Sequence, residues 1–314
     1  MAIVLGVLRS FTLAKDGGVV MRNGHRLAIA MGVSLISACG GGGGGSLVIT
    51  PFQSFSAVQP GQTVEATGVS QTMAVTSDPG GTVTGVSVNP ADLGTSSARL
   101  TYGNGLALTG LSIKTPQSSP SWSGAEISCS PTCDAENATS VGVAVNALDP
   151  GVAWNYQTYG FWAADGAPEI GGAISIGAPT PVGGIPTSGT ATYNGLSSGI
   201  YIDAGGATWI HSADMLAVAD FGAPRSVAFS TTNTVATNAV GPVSMPGLNL
   251  SGTLSIMPGA NEIRGTLTTA STFLNGPATG RFYGPTAQEI GGVYALTTGT
   301  FSPNTMIGGF GGKQ

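Results

Sequence analysis

The sequence predicts an all-β protein, a small N-terminal β domain followed by an eight-stranded antiparallel β-barrel, and three observations carry that expectation. Gly supplies 51 of 314 residues while charged residues make up 8%, so long helices built on Glu, Lys and Arg are improbable. Hydrophobic residues still reach 41%, enough to bury a core and unlike the composition of a Gly/Ser-rich disordered chain. Apolar and polar residues also alternate repeatedly with a period of two, the signature of strands with one dry face.

The first 38 residues read as an address. Arg22, His25 and Arg26 lead a twelve-residue apolar core, Leu27 to Ala38, too short to span a bilayer as a helix. Leu35-Ile-Ser-Ala-Cys39 looks like a bacterial lipobox, in which the Cys thiol is acylated and becomes the first mature residue. A plain secretory signal with a free thiol is the competing reading. The six glycines Gly40 to Gly45 favour the lipoprotein, because they suit a body hung from a membrane anchor. Residues 1 to 20 carry only a weak apolar start of their own, so Met21 is the expected translation start. Residues 39 to 60 form the tether.

From Cys39 onward there are six positive and fourteen negative side chains, a formal net of −8. No Lys/Arg cluster interrupts this, so a phosphate backbone would be repelled and nucleic acid is excluded as a partner. Cys129-Ser-Pro-Thr-Cys133 is a close pair in an exported chain, which points to a disulfide. A metal would need further ligands, and the chain after Cys39 offers only one His, His211. The segment 115–138, with Pro116, Pro120 and Trp122, is expected as a stapled surface loop.

Residues 61–176 form the N-terminal β domain. Gln62 to Val69 alternates, Arg99 to Leu108 reads as a hairpin turning at Gly103-Asn104-Gly105, and Thr139 to Asn146 is a further strand. In Trp154-Asn-Tyr-Gln-Thr-Tyr-Gly-Phe-Trp162 a period of two places Trp154, Tyr156 and Trp162 on one face, with Tyr159 and Phe161 on the other. These rings are expected to fill a core, with a recognition face as the alternative. Residues 177–186, with three prolines and three glycines, form a linker.

Residues 187–314 form the barrel. Leu248, Leu250, Gly252, Leu254 and Ile256 alternate with polar residues, Pro258 to Asn261 turns the chain, and Ile263, Gly265 and Leu267 alternate back. Runs near 189–203, 207–221, 225–234, 277–284, 289–298 and 305–311 bring the total to eight, a number that closes into a barrel its own side chains can fill. Gly252, Gly265, Gly280 and Gly292 suit its bends. A transmembrane barrel would need aromatic girdles, and aromatic residues are only 7%.

Phe282-Tyr-Gly-Pro-Thr-Ala-Gln-Glu-Ile-Gly-Gly292, the closing Phe310-Gly-Gly-Lys313 and the opening Pro186-Thr-Ser-Gly-Thr-Ala-Thr-Tyr-Asn-Gly195 together resemble the C-terminal barrel of the transferrin-binding protein B-like bacterial surface lipoproteins. The resemblance covers about 175 to 314. It implies a smaller β handle ahead of the barrel, an outer-membrane lipoprotein exposed at the cell surface, and capture of a host protein or a solute linked to iron or haem uptake. It also implies partnership with a TonB-dependent receptor and a lipoprotein-export channel. Namesake receptors have two handle-and-barrel lobes, and this chain has length for one.

Catalytic constellations are sparse, and no cofactor is expected. Gly195-Leu-Ser-Ser-Gly199 matches G-x-S-x-G, but a nucleophile elbow needs a helix after it, and Ile200 to Ile202 continues as strand. His211 reads as a surface or turn residue, and Glu289 as a polar residue closing a strand link. The expected function is therefore a lipid-anchored, non-catalytic binding protein, with Trp122, the 115–138 segment and the 235–247 loop as its contact surface. The alternative is a structural or adhesive envelope lipoprotein.

Overall fold

The computed structural model describes residues 49–129, 132–145, 154–271, 274–299 and 303–314. All of its extended elements are β. The handle contains β1 (Ile49–Pro51), β2 (Thr63–Ser77), β3 (Val83–Val88), β4 (Ser97–Tyr102), β5 (Leu108–Lys114), β6 (Ser121–Ser123), β7 (Ile127–Cys129), β8 (Cys133–Glu136), β9 (Ser140–Val145), β10 (Gln157–Ala164) and β11 (Glu169–Gly177). The barrel contains β12 (Thr190–Ile202), β13 (Thr208–Asp220), β14 (Ser226–Asn238), β15 (Gly241–Ser244), β16 (Leu250–Ile256), β17 (Ile263–Thr269), β18 (Asn275–Tyr283), β19 (Glu289–Thr297) and β20 (Thr305–Lys313).

Eight of the barrel strands pair with their sequence neighbours, and β12 pairs with β20 to close the cylinder. The ninth, β15, folds back on the far half of β14 and stands outside the closed ring. Period-two alternation decides what faces in. Tyr193, Phe229, Leu254, Leu267, Phe282, Tyr294 and Phe310 meet in one buried interior cluster, so the cylinder is filled by side chains and carries no channel. On the wall away from the handle, Ser251, Thr253, Ser255, Arg264, Thr266 and Thr268 face outward. Apolar inside and polar outside is the reverse of a membrane porin.

The handle sheet runs β6-β5-β4-β2-β11-β10-β9-β8-β7 and curls, so that Trp122 on β6 reaches the opposite wing. Its inner face gathers Val64, Leu100, Trp122, Trp162, Ile174 and Ile176. The outer face of its central strands carries Val69, Met73, Phe161 and Ala173, which pack on Ile200, Ile202, Ile210, Val293 and Ile307 of the barrel wall. Each fully buried Ile or Val contributes on the order of 1.5–3 kcal/mol. The central strands are thus dry on both faces, and β10 and β11 are buried along nearly their whole length.

Beside these contacts runs a strip where the barrel wall has no side chains. Gly291 on β19 and Gly309 and Gly311 on β20 point at the handle, and a Cβ at Gly309 would lie 2.8 Å from Tyr159 Cδ2. One at Gly311 would lie 2.3 Å from Gln157 Nε2, and one at Gly291 2.5 Å from Ser175 Oγ. The aromatic strand explains the other side of this contact. Tyr159 and Phe161 face the barrel and Trp162 faces the handle core, as period two requires, and all three rings are buried. Trp154 differs from the expectation: it stacks on Tyr159, ring centroids 5.8 Å apart, because the regular strand begins only at Gln157.

Gly309→Ala is expected to cost about 1–3 kcal/mol by overpacking. Gly183→Ala, whose Cβ would meet nothing within 4 Å, is the control and is expected to cost under about 0.5 kcal/mol. Urea unfolding of both variants followed by fluorescence measures the difference, and equal midpoints would refute the close-approach argument.

Candidate binding surface

With the cylinder filled, the surfaces open to a partner include its two ends, and these are built differently. At one end the linker between β11 and β12 lies across the opening. Ile185 enters the barrel core, and Thr180 Oγ1 donates to the Gly284 carbonyl at 2.7 Å. Asn261 Nδ2 donates to the carbonyls of Thr180 and Phe282, each at 2.8 Å. Tyr193 Oη and Gln314 Nε2 both donate to the Ala287 carbonyl, at 2.7 and 2.8 Å. Gly284 adopts φ +84°, a left-handed conformation that a Gly accepts without Cβ strain, and this explains the breaker after Tyr283. This linker end is closed.

The opposite end carries an arm. Ser226 to Ser230 of β14 pair with β16, whereas Val235 to Asn238 pair with β15, so β14 forks between two partners. Asn233, at φ 56°, sits at the irregularity between the halves and donates from Nδ2 to Asp214 Oδ2 at 2.8 Å. Thr234 Oγ1 donates to Asn249 Oδ1 at 2.7 Å, and Met245 packs against the barrel core, fixing the base of the hairpin. The tip is apolar and open: Val240 is 94% exposed and Val243 46%. The 235–247 segment is thus a raised, anchored hairpin, and the turn at Asp203 to Ala207 beside it is held to the handle by Val83 N donating to the Gly206 carbonyl at 3.2 Å.

The other sequence-predicted positions fall elsewhere. Cys39 lies outside the described residues. Cys129 and Cys133 form a disulfide across the end of the β7–β8 hairpin. Trp122 requires correction as a ligand contact: it is 2% exposed, its indole Nε1 donates to the Ser140 carbonyl at 3.2 Å, and its ring lies over Gly142, where a Cβ would come within 2.9 Å. It is a handle core residue. The segment around it is also more regular than a loop, containing β6, a 3-10 turn (Gly124–Glu126), β7 and β8.

His211 is corrected as well. It is fully buried in β13, its Nε2 lies 3.5 Å from Tyr294 Oη, and that hydroxyl lies 2.8 Å from Ser197 Oγ. Burial pushes its imidazole down to about 4, with a hydrogen bond to the Ile307 backbone pulling the other way. Gly195 to Gly199 lies inside β12 with no helix after it, so no nucleophile elbow forms. Among the described residues no group of three His, Cys, Asp or Glu side chains could hold a metal ion.

Glu289 was the residue sequence reasoning undervalued. Its carboxylate is buried at the seam between the domains and accepts from Asn155 N and, at 2.9 Å, from Tyr156 N, which hold the start of β10 to the barrel. Desolvation pushes its pKa up to about 7, against the opposing effects of those backbone donors and of Lys313, its register partner on β20. A signal existed in the sequence, since Glu289 starts a strand whose next seven residues, Ile290 to Leu296, are all hydrophobic or Gly.

A curled β handle packs on a filled, closed barrel that presents loops at one end. Residues 185–314 match the family model of C-lobe and N-lobe beta barrels of Tf-binding protein B, and the handle lies outside the match. No curated protein matches the chain. Among solved structures it is similar to a mutant of Transferrin Binding Protein B from Haemophilus parasuis Hp5, with 15% identity and a TM-score of 0.44 over 73% of this chain and 53% of that one. It is also similar to isotype 1 Transferrin binding protein B from serogroup B Neisseria meningitidis, with 16% identity and a TM-score of 0.41 over 74% and 51%. A chain described as Surface Lipoprotein gives 12% identity and a TM-score of 0.41 over 78% and 98%. The chain thus spans about half the length of the two transferrin-binding proteins.

Because Glu289 holds its proton more tightly folded than unfolded, its contribution to stability is fully present below pH 4.5 and is lost as pH rises towards 7, by up to about 3 kcal/mol. Urea midpoints measured from pH 4.5 to 8 should fall across that interval in the wild type and stay flatter in Glu289→Gln. A wild-type midpoint that rises across it would show that the backbone donors outweigh desolvation.

Proposed function

We propose that this chain is a lipid-anchored binding protein of the outer membrane, acylated at Cys39, with its body exposed at the cell surface. It captures a host protein or a small solute in iron or haem acquisition and has no catalytic role. The match of residues 185–314 to the barrels of Tf-binding protein B is the observation that carries this reading. The filled interior supports it, since a barrel without a cavity must bind by its loops. The arm that ends in Val240 and Val243 is the contact surface we assign, because it is the apolar element most exposed to a partner. A TonB-dependent receptor would take over the captured ligand, and a lipoprotein-export channel would bring the body to the surface.

Intact cells displaying the protein should bind iron-loaded transferrin or haemin, and external protease should remove both the body and the binding. Val240→Ser with Val243→Ser should weaken capture at least tenfold without moving the unfolding midpoint, and mass spectrometry of the mature N-terminus should find an acylated Cys39. A body protected from external protease would overturn the surface assignment, and unchanged capture by the double variant would remove the arm as the contact.

A further inference from the structure

The basic side chains of the barrel and the acidic turns of the arm end lie at opposite ends of the molecule. The four basic residues of the barrel chain (Arg225, Arg264, Arg281 and Lys313) all lie on its linker half. Of the three barrel acids there, Glu262 pairs with Arg264, Glu289 is buried beneath Asn155 and Tyr156, and Asp220 keeps its charge, so the basic residues outnumber the acids at this end of the barrel. At the arm end, the turns linking β2 to β3, β10 to β11 and β12 to β13 carry Asp78, Asp165 and Asp203 and no Lys or Arg.

Two exposed apolar side chains also sit at the linker end. Val182, 53% exposed, lies on the linker and Met257, 36% exposed, on the β16–β17 turn, and the hydrogen bond from Asn261 to Thr180 ties these two segments together. Arg225 is part of the same surface, since its carbonyl accepts from Ile256 N and its Nη2 donates to the Pro186 carbonyl at 2.9 Å.

The described chain begins at this end too. Ile49 pairs with Thr63 at the start of β2, whose next residues run alongside the last of β11, Thr67 opposite Gly177, where the linker leaves. Ten residue steps separate Cys39 from Ile49, a reach of at most about 35 Å.

We infer that the linker end is a docking face for the bilayer surface that carries the anchor, with Val182 and Met257 meeting the headgroup region, Arg225 and Arg264 facing anionic headgroups, and the arm end pointing away. The inference rests on the anchored reading above. A short tether brings the molecule within a few Debye lengths of the surface. The carboxylates of the arm-end turns, of which Asp78 and Asp203 accept from backbone and indole N–H groups, share those turns with no Lys or Arg, so they are repelled by anionic lipid while the basic, apolar-studded end is not. Orientation therefore follows from the charge division without any insertion of a strand, and it leaves the Val240 hairpin outermost.

The test uses the full-length acylated protein on vesicles containing phosphatidylglycerol. Met257→Cys and Val240→Cys each add one thiol for a fluorophore, Cys39 being acylated and Cys129 joined to Cys133. A lipid-borne quencher should quench the label at 257 at least threefold more than the label at 240. That difference should shrink when salt is raised from about 50 to 500 mM and when Arg225→Glu and Arg264→Glu are combined, while the protein stays with the vesicles. Equal quenching at both positions in retained protein overturns the orientation alone. Protein that washes off the vesicles overturns the anchored reading and the orientation with it.

Discussion

The structure depends on one close approach, that of the handle's β10 and β11 to a glycine-lined strip of the barrel wall. Gly291, Gly309 and Gly311 let Gln157, Tyr159 and Ser175 seat against the barrel backbone, and Tyr283 Oη donates to the Ser175 carbonyl at 3.1 Å from the same wall. Protein interiors are packed as densely as organic crystals, so a wall studded with side chains here would hold the sheets further apart and strand the buried polar groups of the seam. Gln157, Ser175 and Glu289 are tolerated because the approach brings partners within reach. The alternation of glycines with Ile307 and Phe310 on β20 serves both domains at once: Phe310 fills the cylinder, Ile307 greases the seam, and the glycines set its width.

This arrangement separates the supporting frame from the exposed arm. The linker, the seam and the interior clusters spend the apolar residues of both domains on rigidity, leaving the arm as a platform whose base is fixed by Asn249 and Met245. Loops held by such a frame can vary in sequence without disturbing the core, so the fold by itself says little about which ligand is bound.

Much of the barrel was legible because each of its strands has one wet and one dry face, and the alternation of Leu250, Leu254 and Ile256 with Ser251, Thr253 and Ser255 survives in the sequence as a period of two. The handle was less so. Its central strands are dry on both faces, so alternation is replaced by runs such as Ala173 to Ile176, and a rolled sheet brings β6 against β9 in a way no local pattern announces. That is why Trp122, set among prolines and serines, read as exposed. Glu289 and His211 were misjudged for a related reason: their partners are Asn155, 134 positions away, and Tyr294, 83 positions away, and a buried polar group looks like a surface one until those partners are placed. The arm was visible only as a loop, because the fork in β14 is set by pairing with β15 and not by its own residues.

The pairing of β12 with β20 has a consequence for how the molecule is made. The strand that opens the cylinder, β12, must wait for β20, which follows it by about a hundred residues, and β20 also supplies Gly309 and Gly311 to the seam. Neither half can reach its final packing before β20 is in place, so closure of the cylinder and docking of the handle are coupled in one late step. Until that step the barrel strands form an unclosed sheet with bare edges, the form of this chain most open to pairing with a second copy.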